Sequence, residues 1–317
     1  MPRTIRIALL LCDTPLPLVQ QELNYPTYTP VFLSHLQDTL DSYPDKKAVE
    51  GVQLEVDSFD VAGKQEYPDE KKVGEGWYDA VMMTGSAHSA YSPLPWLQRL
   101  ITYIHTLSTD PSYSHLKIIG ICFGMQVIAM ALGGPQAVVP NEKGWEIGVY
   151  EVGLTDAGRD WFGRVMAGDV DSRLKDAEDV ESASERVVEK VVGTEKIHIQ
   201  QMHRDHLPQV PPNFELLGSS PKCKVQGIVQ YYPEDSSTEE TGGSRAGNGR
   251  RKIRIVGLQG HPEFTTAIVD RMISVRSESG VLDTPTAEEA RRRSSAQSGG
   301  EGRGVIGWGI WAVLLEL

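Results

Sequence analysis

Gly120-Ile121-Cys122-Phe123-Gly124 sets a cysteine between two glycines. The run before it, LKIIGI (116–121), suits a buried strand, and residues 123–132 suit a helix. A sharp strand-to-helix turn of this form is a nucleophile elbow. It holds the nucleophile in a strained backbone conformation, and its neighbours two residues away pass too close for a Cβ. The side chain then stands at the carboxyl edge of the sheet, where open α/β sheets bind ligands. The helix N-terminus supplies partial positive charge and free N–H groups, which favour a thiolate over a thiol. The N–H of Phe123 is placed to donate to a developing oxyanion. Taken alone, the same frame fits a small buried side chain, so the chemistry requires a base.

Among eight histidines, His261 has a distinctive setting, IVGLQGHPEF (255–264). A strand ends at Gln259-Gly260, and Pro262 stiffens the segment that follows. Glu263 is close enough in sequence to reach the His261 ring. A carboxylate there would fix the tautomer and orientation of the imidazole and stabilise its charged form. Cys122, His261 and Glu263 would thus form a Cys–His–Glu triad, with nucleophile and base on different strand ends. Cys12 and Cys223 lack such a frame and read as buried small residues.

The G-x-C-x-G elbow together with Gln-Gly-His-Pro-Glu resembles the class I glutamine amidotransferases, in particular the GMP-synthase-like branch, over about residues 5–270. Two further segments match the family. TGSAHSAY (84–91) resembles the loop that supplies a second oxyanion N–H, which points to Gly85, with Ser86 beside it. QQMHRDHL (200–207) resembles the segment lining the glutamine pocket, with His203 and Asp205 at the matching positions. Gln126 matches a glutamine-contacting position, and it also reads as a helix-surface residue.

The elements that must position these residues alternate along the first half. IRIALLL (5–11), VQLEVDSFDV (52–61), YDAVMM (78–83) and 116–121 read as strands, and 26–43, 95–107 and 123–132 as helices. The pattern predicts a three-layer α/β fold, flavodoxin-like once the resemblance is considered, with a mainly parallel sheet and helices on both faces. Strand-like segments at 146–155, 224–232 and 252–259 predict a small antiparallel extension, the last two as a hairpin. Polar, charged or Gly/Ser-rich stretches near 171–196, 233–251 and 278–303 read as insertions on a single domain spanning 1–317. The last of them should hold a short capped helix (from 284) and then a loose linker. The apolar C-terminal stretch 304–317 is too short for a membrane span and reads as a buried helix.

The net charge is −12, which argues against nucleic acid as the main partner. Three cysteines without metal-site spacing suggest a reducing, cytoplasmic location, no disulfide framework and no metal. An apolar run at the N-terminus is too short, and too soon ended by Asp13, to be a signal peptide. The resemblance implies attack of Cys122 on a γ-glutamyl amide, a γ-glutamyl thioester, and no cofactor. No GxxxxGK[ST] loop occurs. Nitrogen would therefore pass to a separate synthetase or acceptor enzyme. Alternatively, the enzyme is a γ-glutamyl peptidase acting on glutathione-type conjugates. A non-catalytic redox-sensing module of the same fold is a third reading, against which the His-Pro-Glu segment stands, because a sensor needs no general base.

Overall fold

In β1 (Arg3–Leu11) the side chains alternate between two cores, because successive residues of a strand point to opposite faces. Ile5, Ile7, Leu9 and Leu11 enter one core, and Ala8 and Leu10 the other. The computed structural model describes residues 3–164, 195–233, 250–294 and 299–317. The polar segments expected at 171–196 and 233–251 fall almost wholly outside these residues.

After β1 come α1 (Pro17–Leu23), α2 (Thr29–Asp41), β2 (Val52–Asp60), α3 (Glu70–Gly74), β3 (Ala80–Met83), α4 (Pro95–Thr109), β4 (Lys117–Ile121) and α5 (Phe123–Gly133). The second half runs β5 (Val139–Pro140), β6 (Glu146–Leu154), α6 (Asp156–Arg164), β7 (Lys196–His203), β8 (Asp205–His206), β9 (Glu215–Ser219), β10 (Gly227–Tyr231) and β11 (Ile253–Leu258). The chain ends with α7 (Thr266–Glu278), α8 (Thr284–Ser294) and α9 (Gly299–Leu315). Among the described residues, nine strands form one sheet in the order β2-β1-β3-β4-β11-β10-β9-β6-β7, and β5 pairs with β8 separately. The strands β2, β1, β3, β4 and β11 are mutually parallel. The remaining four continue the sheet antiparallel, starting with the β10–β11 hairpin. This is a mixed, mostly parallel flavodoxin-like α/β fold.

Helices cover both faces. Pro95 opens α4, where a proline's missing N–H costs nothing. Leu97, Leu100, Ile104 and Leu107 of α4, three or four residues apart, pack with α5 into one core. On the other face α2 buries Val31, Phe32, Leu36 and Leu40 beside α7 and α9. The C-terminal helix starts at Gly299, earlier than the 304 expected, and takes up part of the predicted linker. Its Trp311 indole N–H donates to Leu36 O at 2.9 Å. The segment 278–303 is more than decoration. Helix α8 lies against β6, and a Cβ on Gly148 would sit 2.6 Å from Arg293 Cβ. Four strands are not apparent from the sequence: β7, which contains part of the expected pocket segment, the short β9, and the two-residue β5 and β8. No described helix is long and apolar enough to cross a membrane.

The parallel core explains the site. β4 pairs with β3 on one side and β11 on the other, with Gly120 beside both Met83 and Gly257. The three chains leave the sheet side by side at their carboxyl ends, carrying Gly85, Cys122 and His261.

Candidate active site

Cys122 follows β4 directly and precedes the first residue of α5, with φ 52° and ψ −103°. That conformation is strained for a residue with a side chain. The surroundings over-determine it. The Cys122 N–H donates to Leu258 O of β11 at 2.6 Å, and Cys122 O accepts from Gln126 N–H at 3.1 Å. The flanking glycines are needed for close approach. A Cβ on Gly120 would lie 2.5 Å from the carbonyl carbon of Gly124, and one on Gly124 would lie 2.7 Å from Met83 Cβ. Phe123, as the first residue of α5, has an N–H without an intrahelical acceptor.

His261 is buried, and the charge of Cys122 acts on its ring. On its far edge the Nδ1–H donates to Glu263 Oε1 at 2.7 Å. Its backbone N–H donates to Gln200 O of β7 at 2.8 Å, which fastens the base to the antiparallel half of the sheet. Burial alone would lower the imidazole's pKa. The charges of Glu263 and Cys122, and the hydrogen bonds to both, outweigh it and raise the value to about 10. The two neighbours thus favour the charged form of the ring. Gly85 stands against this pair. A Cβ there would lie 2.8 Å from His261 Cε1 and 3.7 Å from Cys122 Cβ.

Ser86 lies at the edge of the site, where its hydroxyl donates to Asp13 Oδ2 at 3.3 Å. Ala87 N–H donates to the same oxygen at 2.7 Å, so Asp13, just beyond β1, pins the loop that carries Gly85. Gln126 is buried beneath the cysteine. Its amide donates to Asp205 O at 3.0 Å and to Gln259 Oε1 at 3.3 Å. His203 is buried with both ring nitrogens engaged, Nε2 with Glu146 Oε2 at 3.0 Å and Nδ1 with Asp205 O at 3.1 Å. Asp205 is half-buried and accepts from the Tyr91 hydroxyl at 3.3 Å. Gln126 and His203 thus hold the Asp205 backbone from two sides, and their polar atoms are turned to protein.

Gln259 escapes the sequence reading as a site residue. It is fully buried, and its Nε2 donates to Cys122 Sγ at 3.5 Å. A polar residue ending the apolar run IVGL was the available signal. The Glu146 carboxylate also accepts from Ser220 Oγ at 2.6 Å and Gln226 Nε2 at 2.7 Å. These bonds and His203 outweigh the cost of burial and lower its pKa. Glu146, His203 and Cys223 bring three potential ligand atoms within 4.8 Å of one another, a convergence that residue spacing does not reveal. Here the atoms satisfy one another or nearby backbone, with the Cys223 thiol donating to Val225 O at 3.3 Å.

A narrow cleft runs past the base. It is lined by Asp13, Tyr28, Gly85, Ser86, His261, Glu263 and Phe264, together with Met202, Met272 and Arg276. The arrangement as a whole offers a sulfur nucleophile, a charged proton donor with a buried orienting carboxylate, and N–H groups near the sulfur. These are the parts of acyl transfer through a thioester.

A profile of the family described as glutamine amidotransferase class-I matches residues 38–242. A glutamine amidotransferase-like protein of Schizosaccharomyces pombe is 31% identical over 290 residues, covering 91% of each chain. Gamma-glutamyl peptidase 4 of Arabidopsis thaliana is 24% identical over 258 residues, covering 79% of this chain and 75% of that one. In shape, the chain is similar to a glutamine amidotransferase of Thermotoga maritima, with a TM-score of 0.55 at 17% identity and 99% of each chain covered. The profile match ends before His261 and Glu263, whose case rests on their geometry.

Proposed function

The chain belongs to the glutamine amidotransferase class-I family, and from that premise we propose that it hydrolyses a γ-glutamyl amide through a thioester on Cys122. The observation that supports this most directly is the buried bond from His261 Nδ1 to Glu263 Oε1, 2.7 Å, on a ring that acts electrostatically on Cys122 at the elbow. Cys122 Sγ attacks the γ-carbonyl carbon, and an S–C bond forms. The carbonyl oxygen takes up negative charge and accepts from the N–H groups of Phe123 and Gly85. As the tetrahedral species collapses, the C–N bond breaks and His261 gives its Nε2 proton to the departing nitrogen. Water then attacks the thioester, its proton passes to His261, the S–C bond breaks and glutamate leaves. Glu263 keeps the imidazole oriented throughout and stabilises its charged form.

Gln259, donating to the sulfur, stabilises the thiolate before it attacks and again as the S–C bond breaks. Ser86 and Asp205 border the space left for the γ-glutamyl group, while Gln126 and His203 act on it through the Asp205 backbone. We place the whole chain in one domain bearing the polar insertions. With three buried, free cysteines we assign it a cytoplasmic location. Any nitrogen released would pass to a separate acceptor enzyme.

The test is glutamate release from glutamine and from glutathione, measured with wild type and with Cys122→Ala. Release by wild type and none by the variant supports the reading. No release from either by wild type, with reversible oxidation of Cys122, replaces it with a redox-sensing role. Release from glutamine only on addition of a second protein makes the chain an amidotransferase subunit.

A further inference from the structure

Two buried amides stand in line with the sulfur of Cys122. Gln259 follows β11 directly, and its backbone N–H donates to Gln226 O at 3.0 Å. Gln126 lies in α5, four residues after Cys122, and its backbone N–H donates to Cys122 O at 3.1 Å. Both side chains are withdrawn from solvent. An amide has one end that only donates and one that only accepts, so in a buried site its orientation matters.

Gln259 could present either end to the sulfur. With Nε2 forward it donates to Cys122 Sγ at 3.5 Å, and its Oε1 accepts from Gln126 Nε2 at 3.3 Å. Turned over, it would set a carbonyl oxygen against the sulfur and an NH2 group against that of Gln126. Gln126 cannot turn over to compensate. Its Nε2 also donates to Asp205 O at 3.0 Å, a backbone carbonyl that can only accept. The same carbonyl accepts from His203 Nδ1–H at 3.1 Å, and the far nitrogen of that ring meets Glu146 Oε2 at 3.0 Å. Ser220 and Gln226 hold Glu146 in turn. The order of donors and acceptors is thus set from the antiparallel half of the sheet, and it ends with an N–H on the sulfur. An N–H donated there favours thiolate over thiol. His261 gives up a proton in each cycle, whereas an amide keeps its own at every step.

We infer that Gln126 is a positioning residue for the nucleophile, holding the Gln259 amide with its NH2 group towards Cys122 Sγ and so supporting the thiolate. This deepens the reading of Cys122 as nucleophile and rests on it.

The experiment follows alkylation of Cys122 by iodoacetamide across pH, read by mass spectrometry on the folded enzyme. It compares wild type, Gln126→Met, Gln259→Met and the double variant, methionine being close to glutamine in volume. Among the described residues, His261, Tyr28, Arg276 and Cys223 are the titratable groups that interact with Cys122, and the substitutions leave all four in place. Each single variant is expected to raise the midpoint by about one pH unit. The rate below it then falls about 10-fold, near the lower end for a lost hydrogen bond to a charged group. The double variant is expected to match Gln259→Met, because Gln126 then has nothing left to orient. Additive shifts, or a Gln126→Met profile that coincides with wild type, overturn the inference. A second measurement uses the unaltered chain, where no substitution can disturb folding. The side-chain amide nitrogen signals of Gln259 and Gln126 should both shift as Cys122 titrates. A Gln126 signal that stays in place overturns the inference. Neither readout needs turnover. If glutamine and glutathione both go uncleaved, the hydrolysis reading fails, while the alkylation pattern still upholds the orienting role of Gln126.

Discussion

The imidazole of His261 lies flat on the ring of Phe264, with centroids 4.1 Å apart and planes within 2° of parallel. Glu263 holds the edge of the same ring, so hydrogen bond and stack together fix both position and tilt. The two residues come from one tight segment, in which Phe264 N–H donates to His261 O at 3.3 Å. Tyr28 continues the stack behind Phe264, at 6.3 Å between centroids.

Removing the face contact should therefore loosen the base without discharging it. Phe264→Leu is expected to lower kcat about 5-fold, from the roughly 1 kcal/mol that such a ring pair contributes beyond burial. KM for glutamine should move less, because the change acts on the position of the base. A change confined to KM would count against the positioning role.

Glu263 should reveal itself through pH. Burial works to lower the His261 pKa, and Glu263 and Cys122 override it to about 10. The wild-type kcat/KM is thus expected to hold through neutrality and decline as pH rises through about 10. In Glu263→Gln the decline should begin at clearly lower pH. The sign for stability is the same: a raised histidine stabilises fully below its ordinary value of 6.5, and the contribution is lost as pH rises through about 10. A basic limb that stays in place in the variant would show that another group titrates there.

How far the sequence spoke for this site depends on what each residue faces. Strands buried on both faces announce themselves as apolar runs, hence β1, β4 and β11 and the strand ends that carry Cys122 and His261. Glycines demanded by close contact mark the elbow. The short strand β9 is only partly buried, and β7 mixes polar with apolar residues, so neither leaves such a pattern. Helix α8 buries only Ala287, Ala290 and Ser294, and reads as polar surface. Gln126 and His203 show the deeper limit. A polar side chain that meets a ligand and one that meets a neighbouring carbonyl look alike in sequence, and theirs meet the Asp205 carbonyl.

Gly85 offers a test of geometry with little cost to the fold. A Cβ at this position would press within 2.8 Å of His261 Cε1, on a ring that Glu263 and Phe264 hold in place. Gly85→Ala is expected to lower kcat by about 100-fold, the scale of a displacement near 1 Å at a reacting group. The melting temperature should fall by no more than about 4 °C. A large loss of stability with normal kcat in the remaining folded enzyme would contradict the placement.

The far ends of the same two strands are joined by Glu316, at the close of α9. Its carboxylate meets Lys117, the first residue of β4, at 2.9 Å and Lys252, next to the start of β11, at 3.0 Å. Burial works to raise its pKa, and the hydrogen bonds and charges of the two lysines hold it at about 2, against an ordinary 4.5. A depressed carboxylate stabilises above its unfolded value, and the contribution is lost as pH falls from about 4.5 towards 2. Glu316 is partly exposed, so solvent screens the pairs. The buried Lys117 nonetheless depends on it for charge compensation. Glu316→Gln is expected to cost about 1–2 kcal/mol in urea unfolding at pH 7. The gap to wild type should narrow as unfolding is repeated at successively lower pH through that window. A gap independent of pH would mean that the side chain contributes by packing alone, and that the clamp between β4 and β11 is not electrostatic.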